Sequence, residues 1–443
     1  MRNINTFFIN LIIIIAFTEG AFSLIGPSES AMRNLREILM LFLFFLSFLQ
    51  NSGNTNHLFV VTKKYKNLGK NYIFLLFATA IISMLFNDKS GIEFFLFFLR
   101  VSPPILFFWA ILKINFNTNY VLRVLKIMVV VQIPAVFIKF LIIGVSESGG
   151  IGTMSIHSGS LSTIFPLFVI SLLFSLYLTR KKKKYIFYII LYLIFGLIGG
   201  KRALMVYTPL LLLVLLVVHR KGFYMKIKDS FIKQIFLFLF FGFVSFYFIA
   251  RFNPNLNPEQ KIGGSFDIEH IIDLTTTYNS FKGELGFSRT DAPEVLYNFL
   301  TENKTSNFLL FGMGPGDIIQ SSLNNIYPGV ENDRQLLMYK YGLGYGLRVG
   351  ALWLGIQVGI LGSLFYALFI FKITRTAFKI LKKSKNIITK EFSIALTGMG
   401  FIVLLDYFTY SQTFFYSGSI SISFFLITAI VLKRFSDERR GSL

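Results

Sequence analysis

Arg251-Phe252-Asn253-Pro254-Asn255-Leu256-Asn257-Pro258-Glu259-Gln260-Lys261 opens a polar stretch that runs to Gly346 and interrupts an otherwise apolar chain. The 96 residues 251–346 hold 11 acidic and 7 basic side chains, so the stretch is net negative inside a chain whose net charge is +22. Crossing a bilayer takes about 20 mainly apolar residues. Nine runs of that kind precede the stretch, at approximately 7–25, 33–50, 71–87, 92–112, 121–144, 161–179, 185–200, 203–219 and 231–250. Three follow it, at 347–371, 391–410 and 412–432. This pattern predicts an all-α polytopic membrane protein of about 12 transmembrane helices with a large extracytoplasmic loop between helices 9 and 10. The chain divides into residues 1–250 (helices 1–9), 251–346 (the loop) and 347–443 (helices 10–12 and a tail).

Composition agrees. Hydrophobic residues make up 54% of the 443 and charged residues only 15%, whereas a soluble domain carries about a quarter charged residues. With no Cys, disulfides, Cys-ligated zinc and thiol nucleophiles are all excluded. The first run resembles a signal peptide, with Arg2 ahead of an apolar Phe7–Phe17, and is read as an uncleaved first helix.

Every second connection is basic. Lys63, Lys64, Lys66 and Lys70 precede the third run, Lys113, Arg123 and Lys126 follow the fourth, and residues 180–184 form an unbroken basic string after the sixth. Arg220, Lys221, Lys226, Lys228 and Lys233 follow the eighth run, seven cations from Lys372 to Lys390 follow the tenth, and Lys433, Arg434, Arg439 and Arg440 close the chain. Residues 145–160, between two of these, carry no Lys or Arg. Short loops rich in Lys and Arg stay in the cytoplasm. The alternation therefore predicts a plasma (inner) membrane protein with both termini cytoplasmic and the long insert outside. The basic loops are read as topology signals beside anionic lipid, with the lipid bilayer as partner and no nucleic acid.

Charges inside spans are costly and usually face a cavity or a partner. On this topology Arg100 lies about eight residues into the fourth run from its outer end, just before Pro103-Pro104. Lys139 lies near the outer end of the fifth run, Lys201 and Arg202 open the eighth, Arg348 opens the tenth, and Asp406 with Tyr407 and Tyr410 ends the eleventh. All fall in the outer half. Guanidinium is always charged and grips phosphate oxygens as a fork. Arginines gathered at the outer surface beside a long exoplasmic loop thus point to a lipid-linked phosphate or diphosphate. In the loop, Gly286-Phe287-Ser288-Arg289, Phe311-Gly312-Met313-Gly314-Pro315-Gly316 and Arg334 are the further candidates.

These stretches resemble a known family. Gly199-Gly200-Lys201-Arg202-Ala203-Leu204 is similar to a helix opening in the superfamily of O-antigen polymerases and O-antigen ligases. Gly286–Arg289, then a helix-like stretch, then Leu310–Gly316 resembles that superfamily's large-loop pattern, and Leu352, Gln357, Gly359 and Gly362 are spaced like its next motif. The resemblance covers roughly residues 190–370. It implies glycan transfer at the outer face of the plasma membrane: a sugar hydroxyl attacks a donor glycan on undecaprenyl diphosphate and the lipid diphosphate leaves. Arg202 and Arg289 match the motif arginines that would hold the diphosphate, with Arg100 or Arg348 beside them. The ligase branch carries a His-Asn type pair where this chain has Arg348-Val349. That departure favours a polymerase, which joins O-antigen, capsule or exopolysaccharide repeat units, over a ligase. A chain-length regulator and a flippase are the partners such a polymerase implies.

Gly312, Gly314 and Gly316 lack the Lys-Ser/Thr of a nucleotide loop and are read as a tight turn allowing close backbone approach, a place for substrate contact. Asp291, Glu294, Asp317, Glu331, Asp333 and the membrane-edge Asp406 are candidates for a general base. His57, His157, His219 and His270 are too scattered to ligate a metal, so neither metal nor cofactor is expected. The rival from another class is a lipid-linked glycan flippase or exporter. Such a protein would line a path through both leaflets with polar groups, whereas the buried charge here keeps to the outer half.

Overall fold

A computed structural model describes residues 2–51, 65, 67–144, 149–156, 159–223, 240, 242–243, 246–247, 250–251, 257–261, 263–271, 292–302, 307–316 and 349–441. Among these the regular structure is entirely helical. In lipid every backbone N–H and C=O must be satisfied within its own segment, and an apolar run meets that condition as a helix. The helices are α1 (Arg2–Phe22), α2 (Glu29–Asn51), α3 (Lys70–Phe86), α4 (Gly91–Lys113), α5 (Thr118–Ile143), α6 (Leu161–Arg180), α7 (Lys184–Ile198) and α8 (Arg202–Gly222). After them come α9 (Ala292–Glu302), α10 (Asn307–Phe311), α11 (Gly350–Lys383), α12 (Ile387–Thr409), α13 (Thr413–Tyr416) and α14 (Gly418–Arg439), and a 3-10 turn spans Gly149–Ile151.

Among the described residues, eight helices are long and apolar enough to cross a membrane: α1, α4, α5, α6, α8, α11, α12 and α14. The apolar helices α3 and α7 are shorter. The 23-residue α2 carries Glu29, Arg33, Arg36 and Glu37 near its start. Most of the ninth run, 231–250, lies outside the described residues, as does most of the loop. The chain is a polytopic, membrane-embedded helical protein.

Helix starts follow local chemistry. Ser90 and Glu93 form a reciprocal capping box at α4. Asn117 accepts from Tyr120 N at 3.2 Å to cap α5, and Asn386 accepts from Ile388 N at 2.9 Å to cap α12. In the bundle α11 packs between α3 and α12, α12 also meets α6 and α8, and α14 meets α4 and α12. Of the eight spans, α14 is the most enclosed and α5 the most peripheral.

The basic connections share one end of the bundle. There Arg180 ion-pairs with Glu391, Lys433 Nζ donates to Ile114 O at 2.6 Å, and Tyr65 meets Phe435 edge-on at 6.3 Å. Glu438 accepts from Ser384 Oγ at 2.6 Å and from the backbone N–H groups of Lys385 and Asn386, closing the α11–α12 turn on the end of α14. The turns between α1 and α2, α3 and α4, α7 and α8, and α12 and α14 fall at the opposite end.

Candidate functional site

Buried charge is not confined to the outer half as expected, since Glu391 and Lys433 are buried at the basic end, but the opposite end holds a whole layer of it. Glu29, Arg33, Arg36 and Glu37 recur at i, i+4, i+7 and i+8 along α2, the spacing that places side chains on one helical face. Arg36 pairs with Glu19 of α1, and its side chain is only 3% exposed. Its guanidinium rests on Gly418 at the start of α14, where a Cβ would strike it. Glu37 Oε1 stands 3.6 Å from Arg36 Nη2 and 3.7 Å from Arg100 Nη1 of α4. Those distances carry charge attraction but exceed a hydrogen bond. Arg100 also lies over the ring of Tyr416 in α13, 4.7 Å from its centroid. Arg33, about one turn before Arg36 on the same face, is within electrostatic reach of Arg100, Glu37 and Tyr416. Pro103 and Pro104 lack N–H groups, so the carbonyls of Leu99 and Arg100 have no intrahelical donor.

Four guanidinium nitrogens in this layer are buried without a hydrogen-bond partner among the described residues: the Nε atoms of Arg33, Arg36 and Arg100, and Nη1 of Arg100. An unpaired buried N–H forfeits its water and gains nothing in return, and the loss is larger when the group is charged. The arrangement is therefore chemically suited to an anion rich in acceptor oxygens.

Residues 149–156 turn into the bundle beside this layer. Thr153 Oγ1 donates to Phe17 O at 2.7 Å, Thr153 N donates to Gln132 Oε1 at 2.9 Å, and Ala21 N donates to Thr153 O at 3.1 Å. Non-helical backbone at membrane depth must be paired within protein, and these bonds pair it. Next to it Ser155 Oγ and Ile156 N donate to Glu29 at 2.7 and 3.1 Å, while Lys139 Nζ donates to Ser155 O at 3.3 Å. Gly20 permits this approach, since a Cβ there would lie 2.6 Å from the Ser155 backbone.

The glycine-rich stretch docks on α11. Gly359 interrupts that helix with φ +70°. Upstream of the break, the Ile356 and Gln357 carbonyls accept from Met313 N at 2.7 Å and Gly314 N at 3.2 Å. Gly316 N donates to Gln357 Oε1 at 3.1 Å, and Asn87 Nδ2 donates to Gly312 O at 3.1 Å. Gly312, Gly314 and Gly316 have φ of +77°, +123° and +95°, conformations that L side chains rarely adopt. The close approach these glycines allow is to the chain's own helices, with Gly312 against α11 and Gly316 against Glu93 of α4. Glu93 lies seven residues before Arg100, about 10 Å along α4.

Of the other sequence candidates, Asp406 is buried and accepts from Ser411 Oγ at 2.5 Å. Ser411 in turn contacts Thr413, so Asp406 shapes the turn that delivers Tyr416 to Arg100. Arg202 is the first residue of α8. Arg289, Arg334 and Arg348 lie outside the described residues, as do His157, Asp291, Asp317, Glu331 and Asp333; Glu294 is exposed on α9. Arg100 is thus joined to two arginines, Arg33 and Arg36, that hydropathy reading passes over as the flank of a span. Their shared face with Glu29 and Glu37 is the signal that would have found them. No protein-family model matches this chain, and no curated protein matches it.

Proposed function

We propose that the chain is a polymerase that joins undecaprenyl-diphosphate-linked oligosaccharide repeat units at the outer face of the plasma membrane. It would do so as a twelve-span protein with cytoplasmic termini and an extracytoplasmic insert. The observation that carries the reading is the convergence of Arg33, Arg36 and Arg100 at the end of the bundle away from the basic connections. The resemblance of residues 199–204, 286–289 and 310–316 to the O-antigen polymerase and ligase superfamily supports it.

In this reaction the acceptor sugar's hydroxyl oxygen forms a bond to the anomeric carbon of the donor. The bond from that carbon to the diphosphate oxygen breaks, and the diphosphate leaves with the electron pair. The hydroxyl proton passes to a base or to the leaving group. Charge grows on the diphosphate, and fixed guanidinium groups stabilise it most where water is scarce. Arg202, Arg289 and Arg348 are assigned this role, with Arg100 and Arg334 as further substrate contacts. Asp406 is hydrogen-bonded by Ser411, which suits a positioning role at the membrane edge.

The test is reconstitution. Purified full-length protein in phospholipid vesicles, given a synthetic undecaprenyl-diphosphate oligosaccharide alone, should yield a ladder of lengthened carrier-linked chains. Transfer only to an added lipid A core acceptor would identify a ligase instead. Movement of the donor across the bilayer without any lengthening would identify a flippase.

A further inference from the structure

We infer that Arg33, Arg36 and Arg100 form a phosphoryl-anion site in which Glu37 is the internal counter-ion that an arriving ligand replaces. The geometry separates the three arginines by how they are held. Arg36 is committed to Glu19 of α1 and fixed over Gly418, so it forms the wall of the site. Arg100 is held by the Tyr416 ring and by charge alone, because its closest carboxylate oxygen, Glu37 Oε1, is 3.7 Å away. Glu37 is shared between Arg36 and Arg100 at distances too long to satisfy either donor. It cancels charge without filling the hydrogen-bonding sites.

Counting formal charges across the layer, Arg33, Arg36, Arg100 and Lys139 face Glu19, Glu29 and Glu37, leaving one cation in excess. Four buried nitrogens of the three guanidiniums have no acceptor among the described residues. A second carboxylate in this space would offer two oxygens in one plane. A phosphoryl group offers three, arranged around a tetrahedral centre, and can meet guanidinium forks from α2 and α4 together. With side-chain exposures of 13% for Glu37 and 11% for Arg100, the pair lies at the edge of the buried layer rather than at its centre. As the anion binds, Glu37 swings away and the net charge of the site is restored by the ligand. The same chemistry is presented by a lipid-linked diphosphate, a phospholipid headgroup and free phosphate. The proposed function serves here only to choose the first probe.

The experiment uses the full chain in phosphatidylcholine nanodiscs. The protein has two tryptophans, and Trp353 lies 5.9 Å from Tyr416, ring to ring. A Trp109→Phe background therefore leaves one reporter beside the site. Its emission is followed while undecaprenyl diphosphate, uncharged undecaprenol, phosphatidylglycerol or inorganic phosphate is added. The expected result is saturable binding of a phosphate-bearing probe that Arg33→Gln and Arg100→Gln each weaken about tenfold, the loss of one charged hydrogen bond. Arg33→Lys should recover only part of it. Glu37→Gln should tighten binding severalfold, which a merely structural carboxylate would not do. Whichever phosphate-bearing probe shows this pattern most strongly identifies the source of the group.

Wild-type affinity in both glutamine variants, or equal binding of undecaprenol, overturns the site. So does a Glu37→Gln variant that stays folded and binds more weakly. Arg-dependent binding with no lengthened glycan from the wild-type protein would remove the polymerase reading and keep the site. Lengthening at the wild-type rate by Arg33→Gln and Arg100→Gln, with unchanged diphosphate binding, would do the reverse.

Discussion

Arg180 Nε and Nη2 each donate to Glu391 at 2.6 Å, a two-pronged ion pair that ties the basic end of α6 to that of α12. The two partners are unequally placed, with the Arg180 side chain 42% exposed and that of Glu391 only 1%. Thr179 Oγ1 also donates to Glu391, at 2.9 Å.

This asymmetry predicts unequal costs. Arg180→Ala strands a buried carboxylate and should destabilise the protein by about 2 kcal/mol, less than a fully buried pair because water reaches Arg180. Glu391→Gln lets Arg180 turn to solvent and should cost about 1 kcal/mol or less. Thermal unfolding of the two variants in detergent should place Arg180→Ala lower. Equal melting points would mean that water already satisfies Glu391.

A second prediction concerns the break in α11. Gly359→Ala forces a Cβ into the Leu310 carbonyl at a positive φ and should cost about 2 kcal/mol or more. Gly355 in the same helix has open space around its Cα. Gly355→Ala should therefore be neutral or stabilise by up to about 1 kcal/mol, as alanine favours helix. Protease protection of residues 307–316 should fall in the first variant and not in the second.

A third prediction separates charge from hydrogen-bond geometry at the motif arginines. Arg202→Ala and Arg289→Ala should each abolish lengthened glycan, by about 100-fold or more, while the protein still accumulates in the membrane. Lysine at either position should rescue poorly because it lacks the fork. Normal polymer from both alanine variants would reduce these residues to helix and loop flanks.

The fourth concerns orientation. Reporter fusions at Asn115 and Lys382 should give the cytoplasmic signal, and fusions at Glu147 and Lys304 the exoplasmic one, because short cationic loops are retained inside. A cytoplasmic signal at Lys304 would end the proposed chemistry along with the topology.

The helices were legible because bilayer length and apolar composition are properties of contiguous residues, and α4, α6 and α12 fall where the runs 92–112, 161–179 and 391–410 place them, whereas the run 412–432 divides into the short α13 and a later α14 at Gly418–Arg439. The interior turn at 149–156 was not. Its pairing depends on Gln132, Phe17 and Glu29 from three other segments, and no local pattern in Gly149–Ile156 encodes those partners. Arg100 stood out as too deep to reach water easily. Arg33 and Arg36 did not, because a charge near the end of an apolar run looks the same whether it faces solvent or a glutamate on the next helix. The glycines 312, 314 and 316 announced a tight approach, but what they approach, the backbone at Gln357–Gly359 for Gly312, Lys89 for Gly314 and Glu93 for Gly316, lies far away in sequence.

The hydrogen bonds from Met313 and Gly314 to α11 change how the polar insert is tethered. A 96-residue connection held only at its two ends would explore one large volume. Fixed at residues 307–316, where α10 also packs on α11, the connection has an arm on either side, and closure entropy depends on each arm's own length. Lengthening the arm that contains Arg289 therefore need not disturb the arm that contains Arg334. Insertions on the two sides of residues 307–316 should act on stability independently of each other.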